Sequence, residues 1–283
     1  MLDLNFQPWR RALLCWGVCL LLLSGCGAAG PLGHPAHTLK TGEVSGAVGF
    51  STKIVSSAVK NQIADGQSAS GTDADEAESA FFQGVLLEHV LAPGPASWVN
   101  ARVGLEGNRE AGLSFYGRTV RIDGRQGFSN EHWALSFGLG LSALMRNLVT
   151  QDADETSNVG RFAGTEYTSE NGSFGIDLPI LLGWRGGPLQ AWLGPRAGMR
   201  RLRGTIAQMQ NTFAELEATQ LFLSSHTGAS VRLGGISLLV ETVVSRHWFD
   251  ATVDFEGGTA PLSRSAEMTG WSIEPTLGLT GHF

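Results

Sequence analysis

Stretches of strict apolar alternation constrain this chain more than any other feature. Trp133, Leu135, Phe137, Leu139 and Leu141 occupy one row, with Ala134, Ser136, Gly138, Gly140 and Ser142 between them. Phe174, Ile176, Leu178, Ile180, Leu182 and Trp184 form a second such row. Trp271, Ile273, Leu277, Leu279 and Phe283 form a third, against Ser272, Glu274, Thr276, Gly278, Thr280 and His282. A period of two places successive side chains on opposite faces of a strand. Each segment therefore has one greasy face and one small or polar face, and a helix cannot satisfy that pattern.

Alternation and turn residues predict ten strands near 42–52, 80–91, 97–106, 110–122, 131–146, 173–185, 188–200, 218–232, 235–248 and 267–283. Most exceed the roughly 9–11 residues that cross a bilayer as tilted strands. Short connections are expected at Pro93-Gly94-Pro95, Asp123-Gly124, Gly186-Gly187-Pro188 and Gly234-Gly235. Long ones are expected at 53–79, 147–172, 201–217 and 249–266, with a short turn from Glu106 to Glu110 on their side. Sorting of loops by length between two ends is the pattern of a membrane barrel. An even strand count returns both termini to the short-turn side.

These rows, the loop rhythm and the terminal Phe283 resemble bacterial outer-membrane β-barrels, whose last residue is typically Phe. The resemblance covers residues 42–283. It implies an all-β fold, a single antiparallel up-and-down transmembrane barrel of about ten strands. The short turns would face the periplasm and the long loops the exterior. It also implies outer-membrane lipid as surroundings and recognition of the closing strand by the barrel-assembly machinery. Trp133, Trp184 and Phe283 would lie at the periplasmic interface and Trp248 and Trp271 at the external one. Trp98 and Trp192 fall on inward rows. Tyrosine is scarce for such a barrel, with only Tyr116 and Tyr167.

The N-terminus has its own pattern. Arg10 and Arg11 precede an apolar run from Ala12 to Leu23, too short for a spanning helix. Leu23-Ser24-Gly25-Cys26 then resembles a lipoprotein cleavage box. That resemblance implies a signal peptide over 1–25, an acylated Cys26, and Gly27 as an outer-membrane sorting residue. Residues 26–41 read as a Gly/Pro/Ala-rich lipidated tether. The three cysteines are Cys15, Cys19 and Cys26, so no disulfide is expected after processing.

Composition agrees with a barrel: 38 glycines in 283 residues, 16% charged residues and a net charge of −6. An acidic chain without a basic stripe is a poor partner for nucleic acid. The inward rows carry Arg102, Glu106, Arg118, Asp177, Arg196, Arg232, Glu241 and Glu274. Mixed signs there favour cross-lumen bracing over a one-sign selectivity ring. A largely closed lumen with a structural or binding role is the leading expectation. The rivals are a narrow solute channel, an outer-membrane hydrolase, and a soluble periplasmic lipoprotein barrel holding an apolar ligand.

Catalytic and ligand sets are weak. Mirroring about Gly234-Gly235 places His226 opposite Val243 and diagonal to Glu241, with Ser224 two residues away on the same face. An i, i+2 spacing on a strand separates Cα atoms by ~6–7 Å, which disfavours a Ser–His contact. His247 and Asp250 form a second His/Asp possibility at a loop base. Asp152, Asp154 and Glu155, and Asp73, Asp75, Glu76 and Glu78, are acidic clusters without the EF-hand spacing. Arg200, Arg201 and Arg203 at an external strand end could meet lipopolysaccharide phosphates. No metal, cofactor or enzymatic activity is expected.

Overall fold

The computed structural model describes residues 30–67, 83, 84, 87, 91, 93–144, 157–162, 165–208, 211–255 and 262–283. Residues 1–25, expected as a signal peptide, Cys26 and both acidic clusters lie outside these residues.

Eleven strands follow one another as β1 (Val44–Val55), β2 (Gly94–Leu105), β3 (Arg109–Tyr116), β4 (Thr119–Ser129), β5 (Trp133–Leu144), β6 (Ser157–Phe162), β7 (Thr165–Gly186), β8 (Leu189–Gln208), β9 (Asn211–Leu233), β10 (Ile236–Phe255) and β11 (Leu262–His282). One helix, α1 (Ser57–Gln67), follows β1. Every neighbour pair is antiparallel. β1 pairs with β11, and β5 pairs with β7, so the sheet closes. β6 is a short flap on β7 and takes no part in closure. The wall is therefore a closed ten-stranded antiparallel barrel.

The outward face shows what surrounds it. Val48, Phe50, Leu135, Phe137, Leu139, Ile176, Leu178, Leu193, Leu221, Val240, Leu277 and Leu279 are all exposed. Along β10 the outward row runs from Ile236 to Trp248, apolar except for Thr242 and for Arg246, which lies over Trp248 and Trp271; twelve steps of about 3.4 Å at roughly 40° tilt give it a height of about 30 Å. Aromatics rim it, with Trp133, Trp184 and Phe283 below and Trp248 and Trp271 above. A soluble barrel would expose polar side chains over that height. The belt makes this a transmembrane barrel, the architecture of bacterial outer-membrane proteins.

Above the belt the pattern inverts. From Phe249 upward on β10, Phe249, Ala251 and Val253 point inward and are buried, whereas Asp250 and Asp254 point out. Arg201, Arg203, Glu215, Glu217 and Glu267 are also outward and exposed there. The inward Leu202, Ala214, Leu216, Ala218 and Met268 pack with Val59 and Ile63 of α1 and with Leu87 and Leu91. The upper barrel thus has an ordinary apolar core, and α1 sits in its mouth.

Several expectations need correction. The described residues of the strand expected over 80–91, namely 83, 84, 87 and 91, are helical. Leu87 and Leu91, four apart, give one apolar helix face into the mouth. The strand expected over 110–122 is two, because the chain turns at Gly117-Arg118. Asp123-Gly124 lies inside β4. The ten-strand count survives because one strand is lost and one gained. Residues 106–108 turn at the end that carries the C-terminus, whereas Pro93-Gly94-Pro95 lies at the opposite end. Much of 201–217 and 249–266 is strand, because β8 to β11 continue past the belt. The described part of the tether, 30–41, enters the barrel.

Candidate functional site in the barrel lumen

The segment 30–41 rises from the rim into the lumen. Its small residues allow the passage. Thr38 packs on Gly127, Ala36 on Gly183 and Gly33 on the Trp98 ring, and Gly30 lies against Tyr116. Gly33 adopts a φ of 66°, and a Cβ there would stand 2.9 Å from the Trp98 ring. Leu32, His34, Ala36 and His37 are buried.

A buried chain without secondary structure must find partners for its peptide groups. Charged wall residues supply them. Glu241 accepts the backbone N–H groups of Leu32 and Gly33 at 3.0 and 2.9 Å. Glu110 accepts that of Leu39 at 2.9 Å. Arg196 donates to the Gly30 carbonyl at 2.9 Å. Arg125 donates to the carbonyls of Pro35 and His37 and lies 2.8 Å from His34 Nδ1. Asn100 donates to the Leu32 carbonyl at 3.3 Å.

Behind these contacts the wall charges form one alternating ladder. Arg125 pairs with Glu110, which also meets Arg102. Arg102 continues to Asp123, and Asp123 to Arg121 at 2.6 Å. Arg121 grips both oxygens of Asp177 at 3.0 and 2.8 Å, and Asp177 meets Arg196 at 3.0 Å. Each end of the ladder is an arginine that holds plug carbonyls. Arg102, Glu110, Asp177 and Arg196 are each at most 3% exposed, so the compensation must be nearly complete.

A second polar layer lies apart from the ladder. Lys53 Nζ stands 3.7 Å from Glu274, both buried. His247 lies between Gln220, at 3.0 Å, and Ser272, at 2.9 Å. The ladder between β1 and β11 skips Lys53 opposite Glu274, beside Pro275, which has no N–H to give. Outside the belt, the hydrogen bond from Arg201 and the charge of Arg203 hold the exposed Glu217 below its ordinary carboxyl range.

Of the residues expected inside the lumen, Arg102, Asp177, Arg196, Glu241 and Glu274 line it. Arg196 and Glu241 both hold the plug rather than each other. Arg118 is a correction: it is exposed in the Gly117-Arg118 turn. Arg232 is another: it is exposed at the rim, and its Nε donates to the Gly234 carbonyl at 3.1 Å. Glu106 sits in the exposed rim turn. Arg200 points into the barrel and is 4% exposed, which removes it from a surface arginine cluster. Arg201 and Arg203 remain outside, paired with Glu217 at 3.0 and 2.9 Å.

The catalytic sets come apart. His226 lies opposite Val243 and its Nδ1 is 2.7 Å from Glu241, but Ser224 is bonded to Ser245 at 2.8 Å. His247 points in and Asp250 out. No cluster with metal-ligand geometry occurs among the described residues. Glu110, Arg121, Asp123 and Arg125 are ladder members missed in the sequence. Their signal was the i, i+2, i+4 spacing of Arg121, Asp123 and Arg125, hidden by a turn assigned to Asp123-Gly124.

No family model and no curated protein matches the chain. Among solved structures it is similar to Ail, the attachment invasion locus protein of Yersinia pestis. The identity is 8%, covering 86% of this chain and 99% of that one, with a TM-score of 0.33. It is also similar to the outer membrane protease OmpT of Escherichia coli, with 8% identity, coverage of 86% and 94%, and a TM-score of 0.40. The translocator domain of the autotransporter NalP from Neisseria meningitidis shares 10% identity, with coverage of 97% and 95% and a TM-score of 0.39. These are likenesses of barrel to barrel and say nothing of activity.

Proposed function

We propose that this chain is an outer-membrane barrel with a structural or binding role, not an enzyme, and that its lumen is closed in the resting state. The observation that carries this is the segment 30–41, tied inside the barrel by Glu110, Arg125, Arg196 and Glu241. The apolar cap of α1, Leu87 and Leu91 adds a second closure above it. Ser224 is engaged by Ser245 and not by His226, which speaks against a hydrolase. Purified protein in a planar bilayer is expected to show no steady conductance. Large, stable open steps from the intact chain would overturn this reading in favour of a channel.

Lipid attachment at Cys26 is part of the same question. Gly30 lies against Tyr116, seven residues up β3 from the rim, which is roughly 18 Å of height at the usual strand rise and tilt. Four residues span at most about 14 Å. A lipid on Cys26 in the periplasmic leaflet and a plug in this position are therefore alternatives. Arg201 and Arg203, at the upper edge of the belt, are the remaining candidates for lipopolysaccharide phosphate.

A further inference from the structure

We propose that the lumen is a binding site for a bent polypeptide segment without secondary structure, and that residues 30–41 are its resident occupant. The inference rests on the closed-lumen reading and asks what the closing contacts recognise.

The wall reads main chain. Glu241 and Glu110 take the N–H groups of Leu32, Gly33 and Leu39. Arg196, Asn100 and Arg125 take the carbonyls of Gly30, Leu32, Pro35 and His37. The one side-chain contact from these wall residues is Arg125 with His34. Every residue carries a peptide C=O and every residue but proline an N–H, so these contacts select a backbone path, bent at Gly33 and His34, and not a particular set of side chains.

Selectivity is left to shape. Gly33 is pressed on the Trp98 ring, and Ala36 is fully buried against Gly183. These two positions admit only small residues. Pro31 and Pro35 fix φ near −65° and lower the entropy lost on docking. The matching ligand is a proline-containing peptide that bends at a left-handed glycine and has small residues at those two positions, entering from the rim that carries the C-terminus. Glu110, Arg125 and Arg196 are fixed by the ladder and Glu241 by His226, so the site is preorganised before the segment arrives.

The exposed turn at Thr41-Gly42 allows a test on the full chain. A protease site inserted there lets the protein fold whole and be cut afterwards. The cut barrel is then offered a labelled synthetic peptide of the twelve residues 30–41. Uptake is followed by fluorescence anisotropy and by mass spectrometry of the exchanged plug. The expected result is saturable uptake, competed by unlabelled peptide. Peptides carrying Gly33→Leu or Ala36→Trp should bind at least tenfold more weakly, and so should the native peptide to a Glu241→Gln barrel. No uptake, or equal uptake of the Ala36→Trp peptide, would overturn the proposal. Steady conductance of the uncut protein would instead count against the closed lumen. A non-conducting uncut protein that takes up no peptide after cutting sinks the peptide site alone.

Discussion

Arg125 joins wall to plug, and its loss should be felt in both. Arg125→Ala leaves Glu110 with one guanidinium fewer and frees the carbonyls of Pro35 and His37. Breaking a buried pair costs about 3–5 kcal/mol, whereas an exposed pair contributes roughly 0–1. Urea unfolding of refolded protein in micelles should therefore show Arg125→Ala destabilised by about 3 kcal/mol and Arg201→Ala by less than about 1. Equal effects would mean the ladder is not buried in practice. His37 adds a pH dependence. Burial lowers its imidazole to about 4, with the charges of Arg185 and Arg125 adding to it. A released plug would return His37 to the ordinary value near 6.5. Docking therefore favours the neutral ring, is fully supported above pH 6.5 and weakens as pH falls toward 4. Burial lowers His34 in the same direction, so limited proteolysis at Thr41 to Glu43 should accelerate between pH 7 and pH 5, and His37→Gln should lessen that acceleration.

At the scale of elements, two closures lie in series. The plug fills the lower lumen, and α1 with Leu87 and Leu91 fills the upper mouth. Val59 is 1% exposed, so Val59→Asp buries a charge and should unseat the cap. We expect little conductance from Val59→Asp alone or from cutting the plug alone. The combination should give open steps in a planar bilayer. If either single change suffices, the other closure carries no seal. The same elements show how far sequence reading reaches. The rows of β5, β7 and β11 were legible because alternation is strict and lipid demands a wholly apolar outer row. The register of β9 against β10 followed from Gly234-Gly235 alone, and His226 does face Val243. Residues 80–91 misled because Leu87 and Leu91 are apolar at helical spacing within a run long enough to pass for a strand. The Gly117-Arg118 turn has no proline or Gly-Gly to announce it, and the Asp123-Gly124 pair, a usual turn signal, sits in mid-strand. The plug was illegible because its contacts are made through peptide groups, which every sequence carries.

For the whole molecule, orientation follows from the ends. The C-terminal end of β11 and the turns 106–108, 130–132, 187–188 and 234–235 lie at one rim, and α1 and the charged upper strands at the other. An epitope beside the exposed Asp65 of α1 should be reached by antibody on intact cells, and one at Gly187 only after permeabilisation. Reversed labelling would invert the topology. Mass spectrometry of the processed N-terminus decides between a plug and a periplasmic lipid anchor. An acylated Cys26 would require the segment 30–41 to lie outside the lumen in that form.

The inversion of pattern at Trp248 and Phe249 works as a waterline. Below it, oil is outside and charge within, save for Arg246 held against Trp248 and Trp271 at the edge; above it, charge is outside and oil within. The depth at which the molecule floats is thus written residue by residue and does not depend on how tall the strands are. Sinking by one outward step would drag Asp250 and its neighbours on the adjoining strands toward hydrocarbon. Rising by one would put belt residues in water. A bilayer of the wrong thickness must therefore bend to the protein. Trimming the β8–β9 hairpin above Arg203 should leave the quenching of Trp248 by brominated lipids unchanged, whereas Asp250→Leu with Asp254→Leu should let the barrel ride deeper.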